Sequence, residues 1–251
     1  MSKIIFLTSS LDFSYKDKFE IKHAHKFTSL NKIQENFKKY IKKYDNFLYI
    51  ASIENDNENN DSYFNFAKQS VNMTMPFKNY FLLDGRTKHK AKELIENADF
   101  IFLRGGHLPT QNAFFNKINL KELLKIYNGV ICGASAGSMN CASNVYCPPE
   151  LEGEAIDPNF KKNLVGLGLT NINIMPHFNN VKNTYLDEKH FLKDILLPDS
   201  FKTDIIAYSD GAYILICNNI STIYGTAYLI KKGKILKISK GKKILNLIWC
   251  I

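Results

Sequence analysis

At 251 residues, 45% hydrophobic and 23% charged, the chain has the composition of a soluble globular protein, long enough for one large α/β domain or two small ones around a substantial core. Its net charge of +9 does not mark a nucleic-acid binder: Arg86 and Arg104 are the only arginines, and the lysines fall in amphipathic stretches such as FKKYIKKY and KKGKILKISKGKK that read as a solvated surface. No run approaches the ~20 apolar residues of a membrane-spanning helix, and MSKIIFLTSS lacks the long apolar core and cleavage site of an export signal, which predicts a cytoplasmic protein with no membrane partner.

In chain order, short apolar runs alternate with stretches of helical period. KIIFLTSS, NFLYIASI, KNYFLLD, DFIFLRG and GVICG are apolar enough to be strands buried on both faces. Between them, LNKIQENFKKYIKKY sets Leu30, Ile33, Phe37, Tyr40 and Ile41 on one stripe, and DSYFNFAKQSVNM, KHKAKELIENA and LPTQNAFFNKI supply further helices. The alternation predicts a mostly parallel sheet sandwiched by helices. CPPELEGEAIDPNFKKN, from Cys147 to Asn163, has no clear period and reads as a long loop bordering the functional site. After about residue 200 the texture becomes β-rich (IIAYSDG, AYILICN, STIYGTAYLI, KILKI, KILNLIWC), predicting antiparallel additions at the sheet edge. No linker or repeat divides the chain, so a single α/β domain over 1–251 is expected.

Five cysteines, Cys132, Cys141, Cys147, Cys217 and Cys250, show neither C-x-x-C pairing nor zinc-ligand spacing and read as reduced thiols, with no metal site. GVICGASAGSMNCAS carries more chemistry. It runs from a strand through Gly133 and Gly137, flanking Ser135, into small helix-compatible residues. A nucleophile on a sharp strand-to-helix turn needs small neighbours, because its backbone is strained and its Oγ must stay exposed. Cys132, inside the strand, and Ser138, inside the helix, lack that position.

A serine needs a base, and of the six histidines His23, His25, His89 and His190 sit in charged stretches suited to the surface, the last in an expected helix with Glu188 and Lys189. His177 closes NINIMPHF, where Pro176 ends a strand; His107, after Gly105 and Gly106, is the other candidate. For the orienting carboxylate two residues compete: Asp210, closing IIAYSDG, and Asp157 in AIDPN, which would give the chain order serine, acid, histidine. The backbone N–H groups of Gly106 and Ala136 are the candidate oxyanion hole.

Four segments, GASAGS, RGGH followed by TQNAFF, GLGLTNINIMPHF and YSDGAYI, resemble in the same order those of the peptidase E family of aspartyl dipeptidases. The resemblance spans about Phe100 to Ile214. It implies a class I glutamine amidotransferase-like α/β fold, a nucleophile at Ser135, a base at His177, an acid at Asp210, and no cofactor. It also implies small peptide substrates, cleaved after an N-terminal aspartate, whose recognition would fall to Arg104, His107 or Lys182. His107 departs from the asparagine or aspartate that the family more often places after the paired glycines. A monomer or homodimer is expected. Two other readings use the same residues: an esterase or amidase acting on other small acyl substrates, and a catalytically silent binding or scaffold protein.

Overall fold

The structure, a computed structural model, describes residues 3–245; Met1, Ser2, Cys250 and most of the run expected as a last strand at 243–250 lie outside the described residues. The five apolar runs form parallel strands β1 (Ile4–Thr8), β2 (Asn46–Ile50), β3 (Asn79–Leu83), β4 (Phe100–Leu103) and β5 (Val130–Ala134), in the spatial order β1-β5-β4-β2-β3. Successive side chains along a strand alternate between two cores. Ile5, Leu7, Leu48, Ile50, Ile101 and Leu103 enter one; Phe6, Phe47, Tyr49, Phe100 and Phe102 enter the other. With both faces covered, β1, β2, β4 and β5 are continuous apolar runs rather than alternating ones; β3, at the sheet edge, is not buried on both faces as expected, since Asn79 and Phe81 are exposed. The second core is largely aromatic, with Phe47 stacked on Phe100 at 5.5 Å between ring centroids.

Helices α1 (Ile33–Tyr40), α2 (Asn57–Thr74), α3 (Ala91–Glu96), α4 (Leu108–Lys117) and α5 (Leu120–Ile126) make the crossovers. The first is shorter than its apolar stripe. Leu30 lies outside it, in a turn where Asn31 and Lys32 adopt φ of 53° and 63°, and Ile41 ends it by turning extended. The helix expected around Glu188 and His190 is instead a two-residue hairpin, Tyr185–Leu186 against Lys189–His190, because Asp187 and Glu188 turn left-handed, with φ of 50° and 63°; helical structure starts only at Phe191.

The C-terminal part adds β6 (Asn173–Met175), β7 (Ile205–Tyr208), β8 (Tyr213–Cys217), β9 (Ile220–Lys231) and β10 (Lys234–Leu245). Strand β10 pairs along β9 from Ser221 to Lys231, occupying one edge of β9 entirely. Both β7 and β8 pair with β9 too, from Ile205↔Ile230 to Cys217↔Ile220, so they must share its other edge. They are two halves of one antiparallel strand, interrupted at residues 209–212.

Each half has its own second neighbour. Strand β1 runs antiparallel to β8, reaching Thr8 opposite Tyr213, and β6 runs parallel to β7, reaching Met175 opposite Ala207. Thus β1 and β6 approach the interruption head-on, from opposite directions. A buried hydrogen bond spans the gap: Tyr208 Oη donates to the Leu7 carbonyl at 2.7 Å, with both residues inaccessible to solvent. Tyr208→Phe leaves that carbonyl without its donor and is expected to lower unfolding stability by about 1–2 kcal/mol in denaturant titration; an unchanged midpoint would show that the bond does not brace the split sheet.

Candidate functional site

Four chain segments end at this junction. Strand β5 runs beside β1, with Ala134 opposite Thr8, and leads into Ser135 and a short helix α6 (Ala136–Met139). Ser135 has φ 51° and ψ −121°, a backbone region costly for any residue with a side chain, and its N–H is shared between the carbonyls of Thr8 at 3.1 Å and Ser9 at 3.0 Å. The turn is tight enough that its flanking residues must be glycine. A Cβ on Gly137 would overlap the Leu103 carbonyl oxygen, and one on Gly133 would sit 2.5 Å from the Ser138 nitrogen.

The neighbouring serine and thiol are out of play. Ser138 is buried and donates to the Thr8 carbonyl at 2.9 Å. Cys132 is fully buried, and desolvation pushes its thiol well above the ordinary range; Cys141 is pushed by burial to about 12. Ser135 is only partly buried, and its Oγ makes no hydrogen bond among the described residues.

At the end of β6, His177 also takes a left-handed conformation, φ 54° and ψ 25°, and opens helix α7 (Phe178–Val181). Its Nδ1 lies 2.7 Å from Asp210 Oδ1. Asp210 sits in the interruption between β7 and β8. Its carboxyl is held below the usual carboxylate range, first by the hydrogen bond from His177 and then by one from Ser9, against the opposing effect of partial burial. Because an ionised carboxylate only accepts, the short contact requires the proton on Nδ1. That leaves the Nε2 lone pair free.

A cleft of about 540 Å³ opens over these groups, lined by Ser9, Ser135, His177, Gly105, Gly106 and Arg104, with Tyr49, Tyr63, Phe66 and Phe102 on its apolar wall. Gly105 packs so closely that a Cβ there would meet the Ser135 Cβ at 3.0 Å. Among the described residues, no hydrogen bond engages the N–H of Gly106 or of Ala136. The Arg104 guanidinium carbon lies over Tyr63, 3.9 Å from its ring centre, and its Nη1 donates to Ser52 Oγ at 3.1 Å. Lys22 approaches the same ring at 4.2 Å.

Other expected residues lie apart. His107 is held between Thr110 Oγ1 at 2.8 Å and Glu154 Oε1 at 2.9 Å, and does not line the cleft. Lys182 is also outside it, bonded to Asn179 Oδ1 at 3.1 Å. Asp157 is exposed and accepts from the Asn159 N–H in a local turn, with no histidine near its carboxylate. The 147–163 loop reaches the site's border: Glu154 binds His107, and Glu150 accepts from the Leu108 N–H at 3.4 Å at the start of α4. Desolvation raises the Glu150 carboxyl above its usual range, although the side chain touches solvent.

Sequence reasoning missed Ser9, Lys22, Ser52 and Tyr63. Ser9 was findable in principle, as a polar residue directly following an apolar strand at the sheet's carboxyl edge; Lys22 and Tyr63 meet Arg104 only through the packing of α2 and an N-terminal hairpin, Ser14–Lys16 against Lys22–Ala24.

Among solved structures, the fold is similar to a 1.5 Å crystal structure from Listeria monocytogenes EGD-e provisionally assigned as a peptidase E, with a TM-score of 0.50, 16% identity, and coverage of 95% of this chain and 98% of that one. No curated protein sequence matches the chain. The family model for peptidase family S51 matches residues 21–223, which takes in the segments that line the cleft except residues 9–14. On that match the chain belongs to peptidase family S51, and it is a serine-type peptidase.

Proposed function

We propose that this peptidase hydrolyses dipeptides and other short peptides in the cytoplasm, with Ser135 as nucleophile, His177 as base and Asp210 as orienting acid. The observation that carries the reading is the 2.7 Å contact between Asp210 and Nδ1 of His177, a residue that lines the same cleft as Ser135. Its consequence is chemical. With Nδ1 protonated, Nε2 takes the Ser135 proton as Oγ attacks the scissile carbonyl, and Asp210 stabilises the imidazolium that forms.

The tetrahedral oxyanion falls to the unengaged N–H groups of Gly106 and Ala136. Collapse expels the amine with the proton from Nε2, leaving an acyl group on Ser135. Water, deprotonated by the same nitrogen, then releases the acid and restores the serine. No step draws on a cofactor.

Arg104 supports a preference for an acidic residue before the scissile bond. It is the arginine of the cleft, its guanidinium plane is fixed by Tyr63 and Ser52, and such a fork suits a carboxylate. His107 and Lys182, outside the cleft, are left no direct part in that recognition.

A dipeptide panel read by mass spectrometry tests the whole reading, comparing aspartyl with neutral dipeptides and short esters. Ser135→Ala is expected to abolish turnover and labelling by a fluorophosphonate while leaving the circular dichroism spectrum intact; substantial residual hydrolysis would sink the nucleophile assignment. Asp210→Asn should lower kcat by about a thousandfold or more. Because the Asp210 carboxyl lies below its usual range, its own protonation should not limit wild-type activity until the pH falls below ~4. Arg104→Met should raise KM for aspartyl dipeptides at least about tenfold, the scale of one lost charged hydrogen bond, with little change for neutral ones. Equal losses on both would remove Arg104 from specificity.

A further inference from the structure

We propose that Ser9 is a positioning residue for the reaction, a fourth member that ties the nucleophile, base and acid to the end of β1. The inference rests on the Ser135, His177 and Asp210 assignment and adds to it a role for a residue lying outside the family-matched segment. Ser9 follows the last residue of β1 and is fully buried, although it is polar. A buried hydroxyl is costly unless its hydrogen-bonding capacity is used.

All of that capacity is spent on the site. The Ser9 hydroxyl donates to Asp210 Oδ1 at 2.6 Å. Its oxygen accepts the His177 backbone N–H at 2.8 Å, and its own main-chain carbonyl accepts the Ser135 N–H at 3.0 Å. One residue thus contacts each of the three, two through its hydroxyl and one through its main-chain carbonyl. The His177 bond falls on the residue whose φ of 54° needs outside support, and the Ser135 bond on the residue whose φ of 51° does.

The direction of the Asp210 bond adds a second effect. A hydroxyl has a single proton, and Ser9 places it on Asp210 Oδ1, the same oxygen that faces His177 Nδ1. Ser9 Oγ also lies 3.4 Å from Nδ1, but with its proton committed to the carboxylate it presents only lone pairs to the ring. Both neighbours of Nδ1 are therefore acceptors. The arrangement selects the tautomer with the proton on Nδ1 and keeps Nε2 unprotonated. Removing the hydroxyl frees Oδ1 to concentrate its charge on the imidazole, which favours imidazolium, and loosens the backbone that aims the ring.

A structural role alone would change stability without changing the chemistry. Ser9→Ala should lower kcat about tenfold to a hundredfold, as expected for losing a hydrogen bond to a charged group, with KM nearly unchanged. The acid limb of its kcat/KM profile should move to higher pH. Ser9→Cys, of similar shape with a weaker donor, should fall between Ser9→Ala and wild type. If Ser9→Ala does not fold, Ser9→Cys carries the test through the same two readouts. Wild-type kcat and an unmoved acid limb in a folded Ser9→Ala, or in Ser9→Cys where that is the variant measured, would overturn the proposal. Ser135→Ala run in parallel separates the failures: if it too retains turnover, the nucleophile assignment has failed, whereas an inactive Ser135→Ala beside a normal Ser9 variant removes Ser9 alone.

Discussion

The site exists because one strand is broken. Ile205 to Cys217 would be a single antiparallel neighbour of β9, but the four residues 209–212 leave the ladder, and the sheet divides there between β1 on one half and β6 on the other. A parallel sheet ordinarily places its loops at one edge, so groups from the two directions of chain travel do not meet. Here they do. Strand β1 brings Ser9 from one side and β6 brings His177 from the other, while the interruption itself supplies Asp210. The gap is closed by two hydrogen bonds, one between the buried Tyr208 and Leu7 and one from the buried Ser9 to the solvent-exposed Asp210.

That geometry explains why strain and support occur together. Ser135 and His177 both have positive φ, and both have an N–H held by an oxygen of Ser9. Conformations of this kind cost of order 1–3 kcal/mol each and persist only where surrounding structure over-determines them. The bracing continues behind the serine, where Thr8 Oγ1 donates to the Gly133 carbonyl at 2.6 Å and Ser138 donates to the Thr8 carbonyl. The end of β1 is therefore a fixed reference to which the turn after β5 and the end of β6 are both tied.

Much of this was legible in the sequence, for reasons that are local. The strands were visible because burial on both faces demands unbroken apolar runs, and Ser135 because a strand-to-helix turn this tight admits only small residues at Gly133 and Gly137. His177 and Asp210 were legible as polar residues closing apolar strands. What could not be read was non-local. Nothing in IIAYSDGAYILIC says that its two apolar runs share one edge of a later strand, and so nothing says that Ser9 lies beside Asp210. His107 looked like a ligand-binding residue because it follows two glycines, yet Glu154, 47 residues away, occupies it. The loop from Cys147 reaches the border of the site through that contact rather than by lining the cleft.

The cleft's two ends have different physical characters, and that difference bears on selectivity. At the Ser135 end the groups are hydrogen-bonded polar side chains on braced backbone. At the other end the Tyr63 ring meets two cations, Arg104 at 3.9 Å and Lys22 at 4.2 Å from its centre. An aromatic face attracts each cation, but two cations sharing one ring repel each other. An anion bound beside either cation would offset that repulsion. Lys22 comes from the N-terminal hairpin and Tyr63 from α2, whereas Arg104 follows β4 and leads directly into Gly105 against Ser135. The residue bearing the guanidinium and the glycine packed against Ser135 are thus adjacent in the backbone. Lys22 has no such backbone link to Ser135, since it reaches the ring from a separate hairpin.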